Sequence, residues 1–198
     1  MRIIAGKFKG MTLSETTGNN TRPLKDMVKE SIFNFLNHSN KIFFQFENSS
    51  ILDLYSGTGS FGLECLSRNA KIVFFVEREN EAIKILEKNI EKLNVKNISK
   101  IYYNDIFDIM EKNNKLYTSS IHNYKFDIIF CDPPFNDVNI IRLIKLIIEK
   151  KILNKDGILI FHRHKDSKED IANYLKVIDE RIYGVSKIFF TQINDYPS

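Results

Sequence analysis

Apolar and polar residues follow each other along this chain in blocks that predict strands and helices in turn. Solid apolar runs predict buried strands, and apolar residues at helical spacing predict helices. The predicted strands are 51–54, 71–76, 100–103, 126–131 and 157–162, and the helices between or after them are 60–67, 80–93, 106–110, 138–149 and 168–174. Strands that alternate with helices favour a mostly parallel sheet covered on both faces, so the predicted fold class is α/β.

Both ends of the chain depart from this alternation. Residues 2–13 predict two short strands around glycines, and Pro23 predicts the start of a helix after the polar loop 14–21. Strands at 178–183 and 187–192 follow each other without a helix, which predicts an antiparallel hairpin at one edge of the sheet. Residues 112–125 predict a polar surface loop.

Composition narrows the class of protein. The chain has 198 residues, of which 43% are hydrophobic and 27% charged, as in a soluble globular domain with a small appendage. No signal segment or membrane span is predicted, and Cys65 and Cys131 alone make neither a disulfide framework nor a metal site. We therefore expect a cytoplasmic monomer without a bound metal or a membrane partner. The net charge of +4 is compatible with a polyanionic partner and with an ordinary surface.

A glycine-rich loop follows the first strand of the core, with the sequence DLYSGTGSFG at residues 53–62. Its glycines satisfy G-x-G-x-x-G, a pattern that also occurs in purely structural strand-to-helix turns. A dinucleotide would place its pyrophosphate here, but the Asp53 carboxylate would repel it. S-adenosylmethionine carries an ammonium and a sulfonium and no phosphate, so it is the predicted ligand. The predicted cofactor-binding residues of this loop are Asp53, Tyr55, Ser56, Gly57 and Gly59.

Two acidic residues at the ends of the next strands extend this prediction. Glu77 can accept hydrogen bonds from a ribose diol, a contact that either type of cofactor would make. Asp105 can accept from an adenine amine while Ile106 packs on the ring, or it can simply cap a helix. The sequence leaves these two roles of Asp105 open.

The segment CDPPF, residues 131–135, follows a buried strand and predicts the reaction site. An exocyclic amine conjugated with a ring is a poor nucleophile, and two acceptors on its N–H bonds favour the pyramidal geometry that attack requires. Asp132 supplies one acceptor and the Pro133 carbonyl another, Pro134 keeps the loop free of a donor, and Phe135 can stack on a flipped base. Catalysis would then consist mostly of positioning. Cys131 is expected to be buried and inert rather than a nucleophile.

Basic residues concentrate in the first thirty positions, where Phe8 lies between two of them. This pattern fits phosphate contact combined with base stacking, and also an ordinary solvated surface. The predicted RNA-binding residues are Arg2, Lys7, Lys9, Arg22, Lys25 and Lys29.

With these motifs, the chain resembles the RsmD family, the 16S ribosomal RNA guanine-N2 methyltransferases of bacteria. The resemblance covers nearly the whole length, through RIIAGKFKG, TRPLKDMVKESIFNFL, LDLYSGTGSFGLECLSRNA, VEREN, NDIF, FDIIFCDPPF and IYGVSKIFF. It departs from the family at Leu24 and Lys25, at Asn69, and at His162-Arg163-His164, where acidic residues are usual.

The resemblance implies a seven-stranded Rossmann-like class I methyltransferase fold with a small N-terminal β-hairpin extension. The expected division is an RNA-contact extension at residues 1–20 and a methyltransferase domain at 21–198. It also implies S-adenosylmethionine as cofactor and, as substrate, one guanine of 16S rRNA in the small ribosomal subunit or its assembly intermediate.

Two other functions remain open at this stage. Adenine-N6 methylation of DNA uses the same D-P-P-[FY] chemistry, although the chain lacks room for a DNA-recognition domain of ordinary size. A nucleotide-binding module or dehydrogenase could use the glycines alone, but Asp53 and CDPPF count against it.

Overall fold

The computed structural model describes residues 1–16, 24, 26–111 and 121–194. Their strands are β1 (Ser50–Leu54), β2 (Ile72–Glu77), β3 (Ser99–Tyr103), β4 (Phe126–Cys131), β5 (Leu153–His164), β6 (Leu175–Tyr183) and β7 (Ser186–Ile193). Their α-helices are α1 (Asp26–His38), α2 (Ser60–Ser67), α3 (Asn80–Lys92), α4 (Ile106–Glu111) and α5 (Ile140–Glu149). Single 3-10 turns lie at Lys96–Ile98, Ile121–Asn123 and Ile171–Asn173.

The strands form a seven-stranded mixed sheet in the order β3-β2-β1-β4-β5-β7-β6. This confirms the α/β architecture predicted from the alternating apolar blocks. The chain divides into two compact units, Met1–Asn104 and Asp105–Ser198, and each is described by itself below. No helix of the described residues has both the length and the apolar character to span a bilayer.

The first unit is built on three parallel strands, with β2 paired to both β1 and β3. Ile51 and Leu52 of β1 are 0% exposed, because this strand is covered on both faces. All eight residues of α2 are buried, and the helix lies close to β2. A Cβ built on Gly62 would lie 2.3 Å from the Phe75 ring, so only glycine permits this approach.

The second unit combines a parallel pair, β4 and β5, with an antiparallel extension through β7 to β6. The predicted antiparallel hairpin is therefore confirmed. In the parallel pair Cys131 lies opposite Phe161, so the residue after β4 lies beside His162. Strand β5 runs on to His164, two residues beyond the end that its apolar run predicts.

The prediction of a helix at 168–174 is wrong. The chain makes only the 3-10 turn Ile171–Asn173 there and enters β6 at Leu175. Within 168–174 Ile171 is the one buried residue, so this segment has no apolar face that could hold a helix against the sheet. The next buried residue, Leu175, already begins β6.

The predicted N-terminal hairpin is present only as a single antiparallel bridge, between Arg2 and Thr12. The chain does turn back, and the Ile3 amide donates to the Met11 carbonyl at 3.0 Å. However, the Ile4 and Ala5 amides donate to the carboxylate of Glu64 at 2.7 and 3.0 Å. Because these two backbone amides donate to a side chain of α2, they cannot also pair with the opposite segment, and the two predicted strands do not form.

Candidate active site

The segment 53–62, which runs from the end of β1 into the first turn of α2, is named the glycine loop here. Tyr55, Gly57 and Gly59 have positive φ values of 58°, 54° and 88°. A Cβ on Gly59 would lie 2.4 Å from Leu86 Cδ1, whereas a Cβ on Gly57 would meet nothing within 4 Å. The sharp turn therefore needs glycine at 59 for space and leaves the backbone open to a ligand at 57.

Two buried carboxylates hold the glycine loop through its backbone amides. Asp53 is 1% exposed and its Oδ2 accepts from the Gly62 amide at 2.9 Å. Glu77 is 8% exposed and its Oε2 accepts from the Gly57 amide at 2.7 Å. Its Oε1 accepts from the amides of Arg78 and Glu79 at 2.8 and 2.9 Å. Both residues therefore shape the loop and place negative charge beside it.

Ser56 adds an observation that favours a polar ligand. Its amide donates to the Val76 carbonyl at 3.0 Å, but its buried hydroxyl has no hydrogen-bond partner among the described residues. A buried polar group without a partner is uncommon and costly. An unpartnered hydroxyl, an open backbone at Gly57 and two carboxylates fit a cationic nucleoside such as S-adenosylmethionine. They do not fit a pyrophosphate.

Asp105 caps α4 in the structure. Its Oδ1 accepts from the Phe107 amide at 2.9 Å, which is the geometry of a helix N-cap. Ile106 is buried at 2% exposure, within the first turn of the same helix. The N-cap role left open by the sequence is therefore confirmed, and contact of Asp105 and Ile106 with an adenine ring stays a prediction.

The segment after β4, residues 132–137, is named the DPPF loop here. The Asp132 side chain is 19% exposed, and its Oδ1 lies 2.7 Å from Nδ1 of His162, which is 1% exposed. The Phe135 ring packs edge-on against two imidazoles, with centroid distances of 5.4 Å to His162 and 5.2 Å to His164. The last residues of β5 thus contact both the carboxylate and the aromatic ring predicted for the reaction.

Arg163 fixes the rest of the DPPF loop from a position that is only 1% exposed. Its guanidinium donates to the Pro134 carbonyl at 3.2 Å and to the Asp137 carbonyl at 2.7 Å, and it pairs with Glu169. The Pro134 carbonyl also accepts from the Asp137 amide at 2.9 Å. That carbonyl is therefore occupied, and the role of the Pro133 carbonyl as acceptor for an incoming amine stays a prediction.

Glu169 responds to this environment through its pKa. Burial by itself raises the pKa of the carboxyl. A hydrogen bond from its own amide and the Arg163 guanidinium lower the pKa by more than burial raises it. The net result is a pKa below the usual value of a glutamate, so Glu169 stays ionised beside Arg163 at neutral pH. The sequence motifs did not identify His162, Arg163 or Glu169; the only signal was the unusual HRH at the end of a predicted strand.

Cys131 is 0% exposed within β4, as predicted for an inert cysteine. Its side chain belongs to the sheet core and presents no thiol to a substrate. The chemistry of this region therefore rests on the loop that follows the strand.

The predicted RNA-binding residues separate into three groups. Arg2 is 71% exposed, and Lys7 and Lys9 are exposed on the N-terminal turn, where Lys7 Nζ lies 5.1 Å from the centroid of Phe8. These three can meet a phosphate backbone. Arg22 and Lys25 lie outside the described residues.

Lys29 forms the third group, and its predicted role in RNA contact is wrong. Its side chain is 0% exposed, and Nζ donates to the Arg2 carbonyl at 2.7 Å and to Ser60 Oγ at 3.3 Å. Burial lowers the pKa of this ammonium, an effect that Glu64 and Asp26 oppose. A phosphate has no access to Lys29, which instead ties the N-terminal segment to the start of α2.

Comparison with known proteins gives concordant findings. A family model described as "Conserved hypothetical protein 95" matches residues 1–192. The chain is 31% identical to ribosomal RNA small subunit methyltransferase D of Buchnera aphidicola, over 99% of this chain and 94% of that protein.

Two solved structures share the fold. The structure of yhhF from Escherichia coli superposes with a TM-score of 0.79 at 22% identity, over 98% of this chain and 97% of that one. An RNA methyltransferase from Salinibacter ruber, solved with S-adenosyl-L-homocysteine, gives a TM-score of 0.61 at 13% identity, over 89% of this chain and 97% of that one. The class I methyltransferase fold predicted from the resemblance is confirmed. With a family model that matches almost the full length and a relative above 30% identity, the chain belongs to the family of ribosomal RNA small subunit methyltransferase D.

Proposed function

We propose that this protein transfers a methyl group from S-adenosylmethionine to the exocyclic N2 amine of a guanine in 16S rRNA. Family membership supports the coarser part, an S-adenosylmethionine-dependent rRNA methyltransferase. The DPPF loop carries the finer part. It presents a partly exposed carboxylate, a proline carbonyl and an aromatic ring directly after β4, which is the set that an exocyclic amine requires.

The DPPF loop activates the amine by holding its two N–H bonds. Asp132 and the Pro133 carbonyl accept them, so the nitrogen lone pair is drawn out of conjugation with the ring. Phe135 stacks on the base after it has turned out of the RNA. The nitrogen bonds to the methyl group as the bond between that group and sulfur breaks, and the electron pair of the broken bond stays on the sulfur. The nitrogen then carries a positive charge and loses one proton to Asp132 or to water.

The glycine loop holds the cofactor in this proposal. When bound, S-adenosylmethionine supplies an electrophilic methyl group on its sulfonium. Asp53 and Glu77 give the loop a negative environment that favours the ligand's cationic groups. The Ser56 hydroxyl is buried and has no partner within the described part of the chain, so it is the donor or acceptor expected to reach a polar atom of the nucleoside.

The exposed cations of the N-terminal turn orient the RNA. Arg2, Lys7 and Lys9 supply charge that attracts phosphates without reading bases. A small basic turn carries little base readout, so specificity is proposed to come from the shape of the small subunit or its assembly intermediate. The protein is proposed to act as a cytoplasmic monomer, as expected from the sequence.

Tritiated methyl transfer tests this function. The substrate is small ribosomal subunits from cells that lack the protein, followed by digestion of the RNA to nucleosides. We expect label in N2-methylguanosine. Label in N6-methyladenosine would replace guanine by adenine as the target, and a complete lack of label on subunits and on their assembly intermediates would refute the proposed function.

A further inference from the structure

The three residues His162-Arg163-His164 at the end of β5 form a cradle for the DPPF loop. Strand pairing places Cys131 opposite Phe161, so the chain direction carries Asp132 next to His162. The side chains of the cradle reach the loop at its carboxylate, at two of its carbonyls and at its aromatic ring.

The contact between His162 and Asp132 has a defined direction. With Asp132 ionised, its carboxylate only accepts hydrogen bonds, so the 2.7 Å contact with Oδ1 requires a proton on Nδ1 of His162. This occupies one oxygen of the carboxylate. No donor of the described residues is hydrogen-bonded to the other oxygen, Oδ2, and the side chain keeps 19% of its surface exposed.

Arg163 prevents the loop from adapting if that contact changes. It is 1% exposed and holds the carbonyls of Pro134 and Asp137, so the backbone after Asp132 has little freedom to move. A buried guanidinium that donates to two carbonyls and pairs with Glu169 is costly to displace. The orientation of the Asp132 side chain therefore depends on its own partner, His162.

From these contacts we infer that His162 is a positioning residue of the methyl transfer reaction: it holds Asp132 Oδ1 so that Oδ2 faces the amine of the substrate base. This inference rests on the proposed function and adds a residue outside the DPPF motif. His162 does not touch the substrate in this role. It sets which oxygen of Asp132 accepts from the amine and keeps that carboxylate from rotating.

The test compares His162→Ala with His162→Asn in the full chain. Alanine removes the donor, whereas the asparagine amide can place an N–H near the position of Nδ1. We expect kcat on small ribosomal subunits to fall about 10- to 100-fold in His162→Ala, as for loss of a hydrogen bond to a charged group, and to recover to within about threefold of wild type in His162→Asn. The KM for the subunits and the Kd for S-adenosylmethionine should stay within about twofold.

The matched control is His38→Ala, the same replacement at an exposed histidine at the end of α1. It should leave kcat unchanged. Thermal unfolding of all variants separates loss of fold from loss of positioning. The inference fails if both His162 variants have wild-type kcat, if asparagine gives no recovery while the variant remains folded, or if the change lies in KM or in cofactor affinity.

A second measurement does not require activity. Nitrogen-15 spectra of the full chain report which imidazole nitrogen carries the proton. We expect His162 to be protonated at Nδ1 and its Nδ1 resonance to shift in Asp132→Ala. A neutral His162 protonated only at Nε2 would overturn the inference, even if the proposed function fails on every RNA substrate.

Discussion

The glycine loop and the DPPF loop are held in place by opposite means. The glycine loop is shaped by its own backbone, with left-handed residues at Gly57 and Gly59 and amides bound to the carboxylates of Asp53 and Glu77. The DPPF loop contains no glycine and is held from outside by side chains of β5, which contact it across thirty positions of sequence.

This difference indicates what each loop can do. A loop fixed through backbone amides presents a constant shape, which suits the binding of a constant ligand. A loop fixed by side chains of another strand can have its carboxylate and carbonyls adjusted by substitutions in that strand, which suits chemistry matched to a particular base. Substitutions should therefore affect binding in the first loop and turnover in the second.

The largest expected effect is that of Asp132→Ala. We expect turnover to fall about 10²- to 10⁴-fold, the usual range for a group that handles a proton or orients the reacting atom, while the Kd for S-adenosylmethionine stays unchanged. Single-turnover methyl transfer and calorimetry measure the two quantities. Asp156→Ala, at an exposed position in β5, is the control. Lost cofactor affinity with normal methyl transfer would reverse the roles assigned to the two loops.

The next effect concerns how the DPPF loop is held. Since the pKa of Glu169 is lowered, the stability that it contributes is fully present above about pH 4.5 and is lost as the pH falls through its pKa in the folded protein. Glu169→Gln should lower the free energy of unfolding by about 2 kcal/mol at pH 7. Its difference from wild type should shrink below pH 4.5, as measured by urea unfolding at several pH values.

Glu149→Gln serves as the matched control for that experiment. Glu149 is 66% exposed and pairs with Lys150 on the surface, so its removal should change stability by less than about 0.5 kcal/mol. A Glu169→Gln difference that is independent of pH between 3 and 7, relative to this control, would contradict the role of the charge.

Gly57→Ala tests the glycine loop with a built-in comparison. Gly57 and Gly10 both have positive φ, and a Cβ would meet nothing within 4 Å at either position. Alanine at each should therefore cost about 1–2 kcal/mol of stability through strain alone. Only Gly57→Ala should also weaken S-adenosylmethionine binding, by about tenfold, because its Cβ enters the proposed cofactor site. Equal cofactor affinities in the two variants would argue against the loop as that site.

The smallest expected effect is on RNA affinity. Lys9→Ala should weaken binding about two- to fivefold and reduce the slope of log K against log salt by roughly 0.7–0.9, because one phosphate contact is lost. Lys29→Met should lower stability and leave that slope unchanged, since the buried ammonium meets no phosphate. Binding titrations at several salt concentrations check both. Identical slopes for wild type and Lys9→Ala would remove this lysine from the RNA surface.

The elements that were predictable are those whose signal is local. Strand β4 and helix α2 have the predicted bounds, because a solid apolar run and a helix that begins directly after a glycine need no information from elsewhere. The turn at Ile171–Asn173 was not predictable, because the sequence does not state that Ile171 is the one residue of 168–174 that is buried.

In the candidate site too, residues with a local sequence signal were predictable and those that depend on distant residues were not. Asp53 could be named from sequence because it stands within the motif that it holds, and Glu77 because it ends the next strand. Burial of Lys29 could not be foreseen, because a lysine in a basic segment usually faces solvent. The partnership of His162 with Asp132 depends on strand register, which a single sequence does not state.

The contact of the N-terminal segment with Glu64 has a consequence for truncation of this protein. The Glu64 carboxylate is 0% exposed and receives the amides of Ile4 and Ala5 as well as the Arg68 side chain. The N-terminal segment is thus bound along α2 in the way that a peptide ligand is bound by a protein, through its backbone amides. A shortened chain without residues 1–13 would expose the buried Glu64 carboxylate and the face of α2 around it. In truncation and crystallisation experiments this segment should therefore be kept as part of the folded domain.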